Sequence, residues 1–283
     1  MEKRFTDRVA LVTGATRGIG QATAVRLASE GLDVLTGNDP AADRQRRRLL
    51  LLRGRARVEM HDAEPARVDA FDALEAARLA EDEAGVASAY ALLAEVDVQA
   101  GRIDNAIASF TASVEAWRAM GDRRGLAETQ RAWGLACLLS GALAEAERHL
   151  VEAQEVFVEE GDRRGQAWVD QHRAWIAFMR GDMAVAEERL GHAEEAFREL
   201  DDRGGLSWVQ GLLAYVRFHQ GRFAEAEELA VEVSTDAAQR EEHWGRAMMI
   251  ALQATLRLWT GSVEECIVLS EEARAIFRSS SPR

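Results

Sequence analysis

Lysine is nearly absent: Lys3 is the only one among 283 residues. Any chemistry that needs a lysine elsewhere is excluded, including the phosphate-binding GxxxxGK[ST] loop. Proline is scarce too, with three in the chain, so long helices meet few breaks. Two cysteines, Cys137 and Cys266, make no disulfide framework and read as buried thiols in a reducing, cytoplasmic setting. No apolar run approaches the roughly 18 residues of a membrane-spanning helix. No HExxH or CxxC occurs, and His149 and His192 stand apart, so no metal site is expected. After Phe5 the chain enters a strand-like stretch with no small-residue cleavage pattern, so no secretory leader is expected.

What remains is rich in Ala, Leu, Glu and Arg, with 47% hydrophobic and 29% charged residues. That balance favours long helices around a sizeable core, in one or two domains. Charge is uneven. Residues 1–60 carry 12 basic against 7 acidic groups, a net of +5, whereas the rest carries −18. An acidic body argues against nucleic acid as a partner. Seven arginines lie between Arg44 and Arg57. They read as a solvated helix face, with an acidic partner or RNA as the alternative.

A forty-residue period organises residues 41–280. The loop Gly121-Asp122-Arg123-Arg124-Gly125 recurs as Gly161-Asp162-Arg163-Arg164-Gly165 and, degraded, as Asp201-Asp202-Arg203-Gly204-Gly205. The frame gives six units, at 41–80, 81–120, 121–160, 161–200, 201–240 and 241–280. The fourteenth position of each is small: Gly54, Ala94, Gly134, Ala174, Ala214, Ala254. The twenty-first is glycine in all but the first: Gly101, Gly141, Gly181, Gly221, Gly261. The twenty-sixth is Ala66, Ala106, Ala146, Ala186, Ala226 and then Cys266. A small residue lets a second helix approach, and the glycine closes the first helix in a left-handed turn. Each unit therefore reads as helix, turn, helix. At the joints Gly121 and Gly161 suit a helix end, and Asp122 and Asp162 suit a helix start. Glutamates such as Glu147 and Glu187 on second helices read as solvated faces with partners four residues away.

Small, Gly and Ala at spacings of seven and five resemble the tetratricopeptide repeat. Forty-residue units with a GDRRG-like joint look like the arrays of bacterial signal-transduction ATPases and actinobacterial transcriptional activators. The resemblance implies an all-α, right-handed solenoid of six helical hairpins over 41–283, acting as a non-catalytic scaffold or regulatory module. In that family, side chains of each first helix line a concave groove for a protein or peptide. Carried over, the groove positions are Glu128, Arg131, Trp168, Gln171, Trp175, Trp208, Tyr215, His219 and Trp259. Trp168 with Trp175, and Trp208 with Tyr215, are each seven apart on one helix face. Packing between neighbouring repeats is the alternative use of these aromatics. Val263, Ile267, Leu269 and Ile276 leave the last unit an apolar end, which suits pairing with a second copy.

Residues 1–40 follow another pattern. Val9-Ala10-Leu11-Val12 precedes Thr13-Gly14-Ala15-Thr16-Arg17-Gly18-Ile19-Gly20, then a helical stretch Gln21–Ser29 and a second apolar run at Val34-Leu35. This resembles the TGxxxGIG start of short-chain dehydrogenases/reductases, a Rossmann-like βαβ fragment over 5–39. The resemblance assigns Gly14, Gly18, Ile19 and Gly20 to the cofactor pyrophosphate, with Arg17 near the phosphates. The family's Tyr-x-x-x-Lys is missing: four residues after Tyr90 and Tyr215 stand Ala94 and His219. No enzyme and no bound cofactor are therefore expected, and the alternative readings are a nucleotide-responsive sensor using the TGxxxGIG turn or a degenerate NAD(P)-dependent oxidoreductase. Residues 5–39 either cap the first repeat or are a fusion remnant.

Overall fold

The computed structural model describes residues 19–34, 40–60, 62–240 and 242–280. Among them all regular structure is helical, in thirteen α-helices. Helix α1 spans Ile19–Val34. Twelve helices follow in six consecutive pairs: α2 (Pro40–Glu59) with α3 (Ala63–Leu79), α4 (Glu83–Gln99) with α5 (Ile103–Met120), and α6 (Arg123–Leu139) with α7 (Leu143–Glu159). Then come α8 (Arg163–Met179) with α9 (Met183–Glu199), α10 (Arg203–His219) with α11 (Phe223–Gln239), and α12 (His243–Trp259) with α13 (Val263–Ser280).

The expected βαβ start is not seen. Val9–Val12 and the turn up to Gly18 lie outside the described residues, as do Leu35–Asp39. Val34, taken as the start of a second strand, instead closes α1 as its last residue. A helix satisfies its backbone groups internally, whereas a two-strand fragment has too few partners to do so.

The sequence columns have clear structural uses. Gly101, Gly141, Gly181, Gly221 and Gly261 close the hairpins with φ from 71° to 87°. Asp162 Oδ1 accepts the Gly165 amide at 2.9 Å and so caps α8. Asp82, Asp122 and Asp202 cap their helices in the same way. Ala94, Ala174 and Ala214 are fully buried, as are Ala146, Ala186 and Ala226. The second glycine of each joint has a separate cause. A Cβ on Gly165 would come within 2.5 Å of the Phe157 ring, so the aromatic of one hairpin lies flat on the backbone of the next.

The chain divides into two compact units, Met1–Ala136 and Cys137–Arg283, each described by itself. In the first, α1 packs on α2. Leu32 joins a core that includes Leu50, Leu74, Leu92 and Val96. Asp69 is wholly buried and held by Arg53 at 2.6 Å and Arg57 at 2.7 Å. Arg53 also donates to Ser29 Oγ of α1 at 3.1 Å. Arg47 is buried and pairs with Asp82 at 3.0 Å. The arginine-rich segment is thus only partly a solvated face. Arg44, Arg46, Arg48 and Arg55 are exposed, while the other three turn inward because α3 offers the buried Asp69 and the start of α4 offers the half-buried Asp82.

In the second unit, Leu190, Phe197, Val209 and Val216 form one core cluster, and Leu252 and Leu256 anchor the next. The second-helix glutamates cross to neighbouring hairpins rather than only pairing along their own helix. Glu147 holds Arg173 at 2.6 Å, Glu187 takes Arg217 and Arg222, and Glu227 takes Arg257.

Candidate functional site

The densest group of aromatics lies on first helices of the second unit. Helix α10 touches both α8 and α12. Three indoles step across these helices. The Trp175 and Trp208 rings are 6.2 Å apart at 35°, and Trp208 and Trp244 stack at 5.2 Å and 28°. The ladder runs diagonally because Trp175 sits late in α8, Trp208 early in α10 and Trp244 at the start of α12. Trp175 and Trp208 are half-buried, and Trp244 is 38% exposed.

The other expected groove residues have different surroundings. Trp168 is half-buried against the Phe197 cluster, its ring edge-on to Phe197 at 5.0 Å. It packs against the second helix of its own hairpin and does not join the ladder. Gln171 is 1% exposed and contacts His172, which places it in the interior. Tyr215 donates its hydroxyl to the Met248 carbonyl at 3.2 Å and packs edge-on to Phe178. Burial pushes the Tyr215 phenol up, so it stays neutral near pH 7. His219 is exposed and lies between the Phe178 and Phe218 rings, 5.3 Å from each. Trp259 is 67% exposed and 6.4 Å from Phe218. Glu128 and Arg131 belong to the first unit, where they approach each other at 3.4 Å. Nearby, burial raises the Glu95 carboxyl, opposed by Arg55 and Arg131 and reinforced by Glu59 and Glu128.

Two groups thus emerge where the sequence suggested two pairs. One is the ladder Trp175–Trp208–Trp244. The other is a cluster of Phe178, Tyr215, Phe218, His219 and Trp259 near the helix ends. Trp244, Phe178 and Phe218 were missed because they stand at the fourth and eighteenth positions of their units. The signal was present: the fourth, eighth, eleventh and fifteenth positions share one helix face.

The chemistry of this face is apolar. On α8, burial pushes the Asp170 carboxyl up against the pull of Arg189, His192 and Arg173, and it pairs with Arg189 at 3.2 Å. Among the described residues no group of three or more His, Cys, Asp or Glu side chains is placed to hold a metal. No described helix is long and apolar enough to cross a membrane. Of the residues assigned to a cofactor, Gly14, Arg17 and Gly18 lie outside the described residues, and Ile19 and Gly20 open α1.

Comparison with known proteins agrees with the helical architecture. Residues 85–157 match the family model described as tetratricopeptide repeat. The apo form of RapI superposes with a TM-score of 0.64 at 16% identity, covering 92% of this chain and 93% of that one. A Rap protein complexed with Competence and Sporulation Factor gives 0.63 at 11% identity, covering 90% and 77%. BtubC (BKLC) from P. vanneervenii gives 0.62 at 14% identity, covering 78% and 95%. At these identities the likeness is one of fold, and the tetratricopeptide match itself covers residues 85–157. A stretch of 28 residues is 71% identical to levodione reductase of Leifsonia aquatica, covering 10% of this chain and 10% of the reductase. The match therefore spans about a tenth of that enzyme, too little to carry its activity over.

Proposed function

We propose that the chain is a non-catalytic binding module that takes an extended segment of a protein or peptide on the first-helix face of its second unit. The carrying observation is the ladder Trp175–Trp208–Trp244, three indoles stepping diagonally across three successive first helices. Large flat faces held by rigid helices offer contact area at little cost in side-chain entropy. Successive side chains of an extended segment can meet successive rings. Few charges line this face, so the favoured segment carries aromatic or aliphatic residues. A tetratricopeptide-type fold and its likeness to a Rap protein bound to Competence and Sporulation Factor support this reading.

The test is a selection of random linear peptides on the full chain, followed by titration of the enriched sequences against Trp244→Ala. Trp244 is partly exposed at a helix start, so its removal leaves the fold intact by circular dichroism. Loss of one such anchor costs ~2 kcal/mol or more, a roughly thirtyfold weaker Kd. Equal binding to wild type and variant would move the site elsewhere, and a selection that enriches nothing would remove the peptide-binding reading.

A further inference from the structure

We infer that the strip Arg44–Arg48–Arg55 of α2 is a second docking surface, for a short acidic segment of a partner protein that carries an aliphatic side chain between its carboxylates. The three arginines hold the fourth, eighth and fifteenth positions of the first repeat, the positions that Trp244, Trp208 and Trp175 hold in later ones. At about 3.6 residues per turn they fall within roughly 40° of one another around the helix axis. All three are exposed. Helix α1 does not cover them, because it meets α2 on nearly the opposite side, where Arg53 donates to Ser29.

Where the fold itself uses an arginine of α2, a carboxylate meets it. Arg47 has Asp82, and Arg53 and Arg57 share Asp69. Arg44 and Arg48 have no hydrogen bond or ion pair among the described residues. Arg55 makes neither, although its charge acts on Glu95 of α4. Arg44 and Arg48 are also four apart, a like-charge pair that destabilises a helix left to itself. An acidic partner turns that repulsion into attraction.

Leu51 and Leu52 mark the partner as protein. They lie between Arg48 and Arg55, and Leu52 is 50% exposed. An aliphatic side chain gains by covering that step, whereas a phosphate backbone does not. Helix α2 has no aromatic residue on which a base could stack. The strip is also short. Arg44 and Arg55 are about 16 Å apart along the helix, the reach of about five extended residues. Past Arg55 stand the carboxylates of Glu59 and Glu95, and the chain beyond residue 60 carries −18, which repels a longer polyanion. A segment with carboxylates toward both ends and a leucine or isoleucine between them matches the strip. The tryptophan face is not used, so this surface stands or falls separately from the proposed peptide site.

Selection of random linear peptides on the full chain, followed by titration of the enriched sequences, tests the assignment. One class should be rich in Asp and Glu around a Leu or Ile, weaken as salt is raised, and bind Trp244→Ala as tightly as wild type. Arg44→Gln with Arg48→Gln and Arg55→Gln should weaken this class roughly tenfold or more, the sum of three exposed ion pairs, with helix content unchanged. Arg48→Glu alone should weaken it in the same direction, which keeps the test open should the triple variant misfold. Enriched peptides that all depend on Trp244 and none on the arginines overturn the inference and leave the proposed function standing. Peptides that depend on the arginines and none on Trp244 do the reverse. Acidic peptides that bind equally well after their leucine is replaced by serine also overturn it. So does oligouridylate that binds more tightly than any enriched peptide and is lost in the arginine variants, because the partner is then RNA. A wild type that sediments as a dimer, with arginine variants that sediment as monomers, overturns it as well, because the occupant is then a second copy.

Discussion

Glycine makes the residue scale easiest to test, because the same residue serves opposite ends in one helical hairpin array. Gly165 lies under the Phe157 ring, with 2.5 Å left for a Cβ. Gly191 lies in α9 with nothing within 4 Å of an added Cβ. Gly165→Ala should destabilise by ~1–3 kcal/mol through overpacking. Gly191→Ala should stabilise by ~0.5–1 kcal/mol, as alanine does in an open helix interior. Urea unfolding of both variants checks the contrast, and a shift of the same sign in both would remove it. The left-handed hairpin glycines were legible from sequence because their cause is local. The cause at Gly165 lies on another hairpin, so the repeated GDRRG loop was visible while its second glycine had no stated reason.

His149 adds a pH-dependent residue effect. It is 2% exposed, and burial, then Arg148, lower its pKa from 6.5 to about 4. Between those values the unfolded chain takes up a proton that the folded chain refuses. Stability is therefore complete above about pH 6.5 and falls as pH drops through the window. His149→Gln should flatten the decline in urea midpoint between pH 7 and pH 4.5. Parallel profiles for the two proteins would mean that His149 does not titrate as its burial dictates.

At the scale of elements, the joint between α1, α2 and α3 rests on one carboxylate. Asp69 is wholly buried and satisfies both Arg53 and Arg57, while Arg53 reaches Ser29 on α1. Removing one member of such a group leaves charge without a partner, at a cost of ~3–5 kcal/mol. Asp69→Ala should lower the thermal midpoint and speed proteolysis within α1, which loses its polar tie to α2. An Asp69→Ala protein as stable as wild type would show that water replaces the carboxylate. Helix spans were legible here because small, glycine and aspartate columns recur every forty residues. The inward turn of Arg47, Arg53 and Arg57 was not legible. Seven arginines in one segment read as surface until the facing helices supply Asp69 and Asp82. The aromatic face shows the same limit. The frame located Trp175 and Trp208, but their partners across helices, and Trp244 itself, depend on how α8, α10 and α12 meet.

At the scale of the whole molecule, the array is bound by neighbours. Within the second unit α8 contacts α7, α9 and α10, and α12 contacts α10, α11 and α13, but no described contact joins α8 to α12. Stability is then close to a sum of hairpin terms and interface terms. A local defect should open its own surroundings before it opens the rest. Gly165→Ala places such a defect at the α7–α8 joint. By hydrogen exchange, amides of α7, α8 and α9 should lose protection by a factor of ~5–150, matching the ~1–3 kcal/mol of overpacking. Amides of α12 and α13 should exchange at the wild-type rate. A uniform loss from α7 to α13 would instead mean that the unit opens as one block. The tryptophan ladder would then answer to every hairpin beneath it, and a ligand on Trp175, Trp208 and Trp244 would protect α13 as strongly as α8. Graded protection confines the ligand's effect to the helices it touches, so binding stabilises α8, α10 and α12 first.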